Sequence, residues 1–270
     1  MILVCCHKKS DLYNSVTHVP IHVGALNSGE NFGFLRDDDG ENISDMNNSF
    51  CELTALYWAW KNCDDINDKI WGLEHYRRYF GKRCLLSTVI YQSFNSFKPL
   101  SKRKIELYLE KYDIIMARRE VYPVRLYSDY AMKHERKDMD ILREVIREKS
   151  PEFLSAFNDI IYNNNKLSPY NMFISSKSFL NEYCEWLFMI LFEVNKRIDL
   201  SSYDSYQRRV FGFMSERLLN VFVKHKKLDV LYLPIVVLDN KPSLIVRIAK
   251  INLYIIDTLR FLIIKQKRIE

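Results

Sequence analysis

Glycine is scarce in this chain, at 7 of 270 residues, where an average protein uses about 7 %. The seven (Gly24, Gly29, Gly33, Gly40, Gly72, Gly81 and Gly212) assemble into neither GxGxxG nor GxxxxGK[ST]. That excludes the dinucleotide and P-loop phosphate cradles. The six cysteines (Cys5, Cys6, Cys51, Cys63, Cys84 and Cys184) form no CxxC pair and have no histidine at zinc-ligand spacing. They read as reduced, mostly buried thiols of a cytosolic protein. No run of about 18 uncharged apolar residues occurs, so no bilayer-spanning helix is expected. Met1–Cys6 is apolar with no basic leader, which predicts a buried strand and not a signal peptide.

What is present is an ordinary globular composition, 48 % hydrophobic and 27 % charged. A domain of this size buries roughly three quarters of its unfolded surface and folds without metal or disulfide. The net charge of +6 is uneven. From Leu244 to Glu270 six cations face two acids, whereas the other 243 residues carry 34 cations and 32 acids. A nearly neutral body argues against nucleic acid as a partner. The tail sets Ile245, Ile248, Ile255, Ile256, Leu259, Leu262 and Ile263 opposite its cations, as an amphipathic helix does. Two readings stand: packing on the core or a second subunit, or lying on an anionic inner membrane.

Short apolar runs at residues 2–6, 69–75, 112–117, 171–175 and 229–237 predict buried strands, and helical patterns alternate with them. Ser49 and Glu52 are spaced as a capping box opening a helix to about Lys61. Ser150-Pro151 marks another helix start. Stripes at Phe179–Val194 and Val210–Val221 predict two more helices. The sum is a single α/β domain over residues 1–240 with a mostly parallel sheet, followed by the basic tail 241–270. Some forty residues between the first strand and the helix near Phe50 show little periodicity and read as a long functional loop.

The densest polar cluster is His75-Tyr76-Arg77-Arg78, at the end of a strand, where open α/β sheets bind ligands. Arginines there grip a diphosphate or pair with Glu74; the pattern allows both. Asp37-Asp38-Asp39 offers carboxylates to a divalent ion or forms a solvated turn. Glu216-Arg217 lies within an apolar helix, either as architecture or as an orienting pair beneath a pocket.

Read in order, Asp37–Ser44, Cys51-Glu52-Leu53-Thr54 through Tyr57-Trp58-Ala59-Trp60-Lys61-Asn62, Gly72-Leu73-Glu74-His75-Tyr76-Arg77-Arg78-Tyr79-Phe80, Asn171–Ile174 and Gly212–Leu218 resemble the bacterial capsular and O-antigen polysaccharide glycosyltransferases that carry a GLxHYRRYF signature. The resemblance spans about residues 1–236. It implies a GT-A-like fold and transfer of a hexosyl group, galactofuranose or galactose, from a UDP-linked donor to a lipid-linked oligosaccharide at the inner face of the cell membrane. It places His7 and Lys8 near the nucleotide and Asn42 and Asn171 near the sugar. His75, Arg77 and Arg78, with Arg217 behind them, take the place of a metal at the diphosphate. Asp39 nonetheless completes an Asp-x-Asp, so Mn²⁺ or Mg²⁺ dependence stays open. Asp37, Asp38 and Glu216 are the carboxylates implied as base, with His75 beside them. The alternative is a non-catalytic peripheral component of a polysaccharide assembly complex.

Overall fold

The computed structural model describes residues 1–10, 12, 15–63, 69–83, 88–92 and 97–238, and beyond them only Ile255, Ile256, Leu259, Leu262 and Ile263. The strands are β1 (Ile2–Cys6), β2 (His18–His22), β3 (Leu35–Arg36), β4 (Ile70–His75), β5 (Arg78–Phe80), β6 (Val89–Gln92), β7 (Ile114–Ala117), β8 (Glu120–Val121), β9 (Lys166–Leu167), β10 (Phe173–Ser176), β11 (Val230–Leu233) and β12 (Ile235–Leu238). Between them run α1 (Ala25–Ser28), α2 (Asn47–Phe50), α3 (Leu53–Asn62), α4 (Lys102–Leu109), α5 (Leu126–Lys133), α6 (Arg136–Lys149), α7 (Leu154–Asn163), α8 (Lys177–Asn195) and α9 (Val210–Lys226).

The main sheet has the order β11-β7-β10-β4-β1-β2-β3. Along this order it is mostly parallel, with β10 running against its neighbours β4 and β7. Successive residues of a strand face opposite sides, and both faces are apolar, as a sheet covered on both sides requires. Leu3, Cys5, Trp71, Leu73, Met116 and Phe173 pack under α3, α6, α7, α8 and α9. Ile2, Ile70, Ile115 and Ile174 pack against Ile105 of α4, while Val4 and Cys6 meet Tyr79, Val236 and Leu238 of the small β5–β12–β6 ribbon. Gly72 leaves room for β10 beside β4: a Cβ there would lie 2.6 Å from the Phe173 carbonyl oxygen.

The five expected strands form, with one division. The run 229–237 is cut at Pro234, which has no N–H for a ladder, and the second half leaves the main sheet to pair with β5 and β6. The expected long loop holds β2 and β3, which extend the sheet in parallel beyond β1. His18 and His22, which carry no sequence signal of burial, are 3 % and 1 % exposed in this layer. The capping box does not form: Ser49 lies inside α2, Cys51 breaks the chain at φ +53°, and Glu52 makes no side-chain cap on α3. Cys5, Cys6, Cys63 and Cys184 are buried and Cys51 is half-buried; Cys84 lies outside the described residues. So does most of the basic tail, of which only five apolar helical residues, each exposed, are described. Among the described residues no helix is long and apolar enough to cross a membrane.

Candidate active site

The parallel strands β1 and β4 end side by side, and beyond their carboxyl ends opens a cavity of about 780 Å³. Five chain segments bring polar side chains to it, and Val23, Val237 and Leu238 complete its lining. The exit of β1 supplies His7, the β4–β5 hairpin supplies His75, Tyr76, Arg77 and Arg78, and the α2–α3 break supplies Asn47, Cys51 and Glu52. Tyr170 comes from the approach to β10, Arg209 from the turn just ahead of α9 and Glu216 from the second turn of that helix. Three arginines and two carboxylates thus line the same cavity.

The hairpin is fixed from beneath. Glu74, 1 % exposed, accepts the Phe80 N–H through Oε1 at 2.8 Å, tying the strand that ends in His75 to the strand that begins at Arg78. Above it, Arg77 lies 5.1 Å from the Tyr76 ring centre and Arg78 4.8 Å from that of Tyr170. Both guanidinium groups are therefore preorganised on aromatic faces. His7 meets Tyr76 edge-on at 5.0 Å.

The two carboxylates are held by strained backbone. Tyr170 and Asn171 have φ of +76° and +54°, values that cost a non-glycine residue of order 1 kcal/mol or more and persist only where the surroundings impose them. Here the Tyr170 N–H donates to Glu216 Oε1 at 3.1 Å, and its carbonyl accepts from His75 Nε2 at 2.8 Å. Asn171 Nδ2 donates to Glu52 Oε1 at 2.7 Å and to the Gly212 carbonyl at 3.2 Å. Cys51, the third strained residue, has its carbonyl bound by Asn47 Nδ2 at 2.7 Å and by Thr54 Oγ1 at 3.1 Å. A Cβ at position 212 would sit 3.1 Å from Cys51 Sγ, so glycine lets α9 close onto this break.

Electrostatics divide the roles. Burial raises the Glu216 carboxyl to about 7, with the negative charge of Glu52 adding to the shift and Arg217 opposing it. A carboxyl balanced near neutrality suits proton transfer. Burial lowers both His75 and His7. A carbonyl only accepts, so His75 Nε2 carries the hydrogen and Nδ1 the lone pair. His75 is thus a neutral acceptor, and the fixed positive charge of the cavity belongs to Arg77, Arg78 and Arg209.

Of the residues singled out in the sequence, the cavity brings together His7, His75, Arg77, Arg78 and Glu216. Asn171 stands behind Glu52. Lys8 is exposed, its Nζ 5.9 Å from the Tyr76 ring centre. Asn42 is spent on a turn, donating to the Asp38 and Gly40 carbonyls. Arg217, 4 % exposed, lies beneath the cavity, bonded to the Phe213 carbonyl at 2.8 Å, over the Tyr130 ring and 3.9 Å from Asp129. Asp37 is fully buried away from the cavity. Its carboxylate accepts from the Gly24 and Ala25 N–H groups, Ser44 Oγ and Thr54 Oγ1 at 2.5 to 3.0 Å. A carboxylate saturated by four donors knots the loop and has no lone pair left for an acceptor hydroxyl. Asp38 is likewise engaged, gripped by Arg36 at 2.9 and 2.6 Å, which holds its pKa down. Asp39 is exposed while Asp37 points inward, so the formal Asp-x-Asp does not converge on one ion. Among the described residues no group of three His, Cys, Asp or Glu is placed to hold a metal.

The structure adds Glu52, Cys51, Tyr170 and Arg209, which the sequence reading does not place at a site. The spacing of Glu52 assigns it to a cap that does not form. Arg209 does carry a signal: Arg208-Arg209 stands immediately ahead of α9, where the helix dipole disfavours cations, and an arrangement against the dipole calls for another purpose.

A mixed α/β domain with a mostly parallel central sheet flanked by helices, carrying an arginine-and-carboxylate cavity at the strand ends, is therefore the setting for the comparisons. The chain belongs to the DUF4422 family, a domain of unknown function whose model matches residues 1–227. No curated protein matches it. The solved apo structure of WbbM, a bifunctional glycosyltransferase, is similar with a TM-score of 0.79 and 26 % identity, covering 88 % of this chain and 45 % of that one. The chain thus spans less than half the length of WbbM.

Proposed function

We propose that this protein is a glycosyltransferase that moves a hexosyl group from a nucleoside diphosphate sugar to a hydroxyl of an acceptor glycan. The observation that carries the reading is the convergence of Arg77, Arg78 and Arg209 with Glu52 and Glu216 in one cavity at the carboxyl edge of the sheet. Such a reaction needs fixed positive charge where the leaving diphosphate gathers negative charge, and a base where the acceptor loses its proton. Similarity to WbbM supports the class of reaction.

In this reading Arg77 and Arg78 hold the diphosphate, and Arg209 closes on it from α9. The bond from the anomeric carbon to the diphosphate oxygen breaks, and its electron pair leaves with the nucleotide. The acceptor oxygen bonds to that carbon, and its proton passes to Glu216. His75 Nδ1 accepts a sugar hydroxyl and orients the ring. Glu52, held by Asn171, lies where positive charge builds at the anomeric centre and stabilises it. We take the donor as UDP-galactofuranose or UDP-galactose, and the acceptor as a lipid-linked oligosaccharide of capsule or O-antigen assembly at the inner membrane face. The exposed apolar residues Ile255, Ile256, Leu259, Leu262 and Ile263, in a tail rich in Lys and Arg, support a lipid surface as the meeting place.

Calorimetric titration of UDP, first with EDTA and then with Mn²⁺ or Mg²⁺, tests the site. Binding that survives EDTA and is lost in the Arg77→Ala/Arg78→Ala double variant is the expected result. Binding only with metal moves the diphosphate away from these arginines, and an unaltered double variant refutes the assignment.

A further inference from the structure

A second cavity, of about 410 Å³, lies further along α9. Its floor is apolar: Met116 of β7, Ile160 of α7, Val223 of α9, and Leu228 and Val230 at the start of β11. Four cations stand around it, Arg119, Lys166, Lys224 and Lys227, and among the described residues no carboxylate lines it. The helix dipole accounts for Lys224 and Lys227, since cations are favoured in the last turn of a helix. It does not account for Arg119, which follows β7 and rests 4.8 Å from the Tyr232 ring centre, or for Lys166 of β9. Cations from three different elements therefore meet over one apolar floor. The ion pair of Lys224 with Asp159, at 3.6 Å, joins two half-exposed groups and offsets little of that charge.

The two cavities share their supports. Glu216 faces the first, and one turn on, Asn220 lines the second. Asn220 Nδ2 donates to the Glu216 carbonyl at 2.7 Å and to the Ser168 carbonyl at 2.9 Å, while its Oδ1 accepts the Ser168 N–H at 3.0 Å. On the other side, Arg119 of the second cavity is followed by Glu120, whose carboxylate accepts from the Tyr170 hydroxyl of the first at 3.3 Å. At 1.5 Å of rise per residue, Lys224 and Lys227 lie about 12 and 16 Å along α9 from Glu216, a separation that a short oligosaccharide bridges.

We propose that the second cavity is an acceptor subsite: it binds a phosphoryl ester with an apolar substituent, holding the anchored end of the acceptor while a hydroxyl at its other end reaches Glu216. The acceptor role rests on the glycosyltransferase reading. The binding of a phosphate ester does not, so the two fail separately. A phosphate on its own and a phosphate carrying a hydrocarbon chain share the charge chemistry, but only the second uses the floor.

The test is calorimetry on the full chain in the Arg77→Ala/Arg78→Ala background, which removes two of the three competing arginines of the first cavity and leaves Arg209 the same in every variant compared. The probes are octyl phosphate below its micellar range and inorganic phosphate. Octyl phosphate is expected to bind more tightly than inorganic phosphate, and to weaken about tenfold or more when Lys224→Ala and Lys227→Ala are added, since each removes a charge-assisted contact. Both lysines are exposed, so the variants should fold, and an unchanged melting temperature checks it. In an otherwise native chain, the same two lysine substitutions should leave UDP affinity within twofold. Octyl phosphate affinity unchanged by the lysine substitutions overturns the subsite. Equal affinity for the two probes overturns the role of the floor and with it the anchored acceptor. Loss of UDP binding in the lysine variants overturns the separation of the two cavities.

Discussion

Replacing Glu74 by glutamine tests the physical account of the hairpin that carries Arg77 and Arg78. Glu74 Oε1 accepts the Phe80 N–H, and Oε2 faces His18 Nε2 at 3.4 Å, both side chains being 2 % exposed or less. Two charges so buried would attract strongly, yet each would lose its hydration, and that loss exceeds the attraction unless every remaining polar atom is satisfied. Here Glu74 Oε2 and His18 Nε2 make no hydrogen bond. Burial instead drives both toward neutrality, the carboxyl up from 4.5 to about 8 and the imidazole down from 6.5 to about 4. The folded chain thus keeps a proton on Glu74 that the unfolded chain releases above pH 4.5. Stability therefore falls with rising pH across that window, by about 1.36 kcal/mol per unit. His18 has the opposite slope between about pH 4 and 6.5, but it is buried and neutral in both proteins and cancels in the difference. Between about pH 5.5 and 7 the Glu74→Gln variant should gain about 2 kcal/mol relative to the native chain, read from urea midpoints at half-unit steps. The substituted amide still offers its carbonyl oxygen to the Phe80 N–H, so UDP affinity should hold. Parallel stability curves would refute the reasoning, because they would mean that the folded pair holds no proton in this range, with Glu74 charged beside a neutral His18.

The remaining predictions concern the cavity, the loop and the tail. Glu216→Gln should cut sugar transfer by about 10²- to 10⁴-fold at unchanged UDP affinity. The native kcat/KM should rise tenfold per pH unit up to about 7 and level off above it, as a base of raised pKa dictates; a profile flat from about pH 5 to 8 sinks the assignment. Asp37→Asn replaces an acceptor-only carboxylate by an amide whose NH₂ opposes other donors, and should lower stability by about 3 kcal/mol; full stability with lost transfer would restore it as a base. Truncation after Leu238 should abolish sedimentation with vesicles containing anionic lipid while leaving UDP binding intact, and equal sedimentation of both forms would refute the tail as an anchor.

How much of this was legible in the sequence depends on the physical signal each element carries. Strands buried on both faces, such as Ile2–Cys6 and Ile114–Ala117, are continuous apolar runs and show themselves. β2 (His-Val-Pro-Ile-His) does not, because its histidines and proline mimic a loop until β1 supplies the pairing, and the two-residue β3 is too short to carry a pattern. The arginine pair of the hairpin was legible because it follows a strand. Glu216 stands among the three carboxylates that the sequence offers as base, but spacing alone does not separate it from Asp37 and Asp38, because acidic residues in a row advertise a site while a glutamate inside an apolar helix advertises packing. Local spacing could not show that Asp37 is consumed by four donors from separate places in the chain.

The same limit explains Glu52. Its spacing from Ser49 is that of a cap, and a cap would have used up its carboxylate. What frees it is the break at Cys51, and that break is stable only because Asn47, Thr54 and the missing side chain at Gly212 hold it from three directions. The strained pair Tyr170-Asn171 then supplies the donor that aims Glu52 and the N–H that meets Glu216. Both carboxylates of the cavity wall thus depend on residues held in unfavourable backbone conformations by long-range contacts. A site built this way favours rigid presentation over local stability, which is what the proposed stabilisation of a short-lived charge at an anomeric carbon would require. Relaxing either break, by Gly212→Ala or Asn171→Ala, should consequently cost transfer far more than it costs UDP binding.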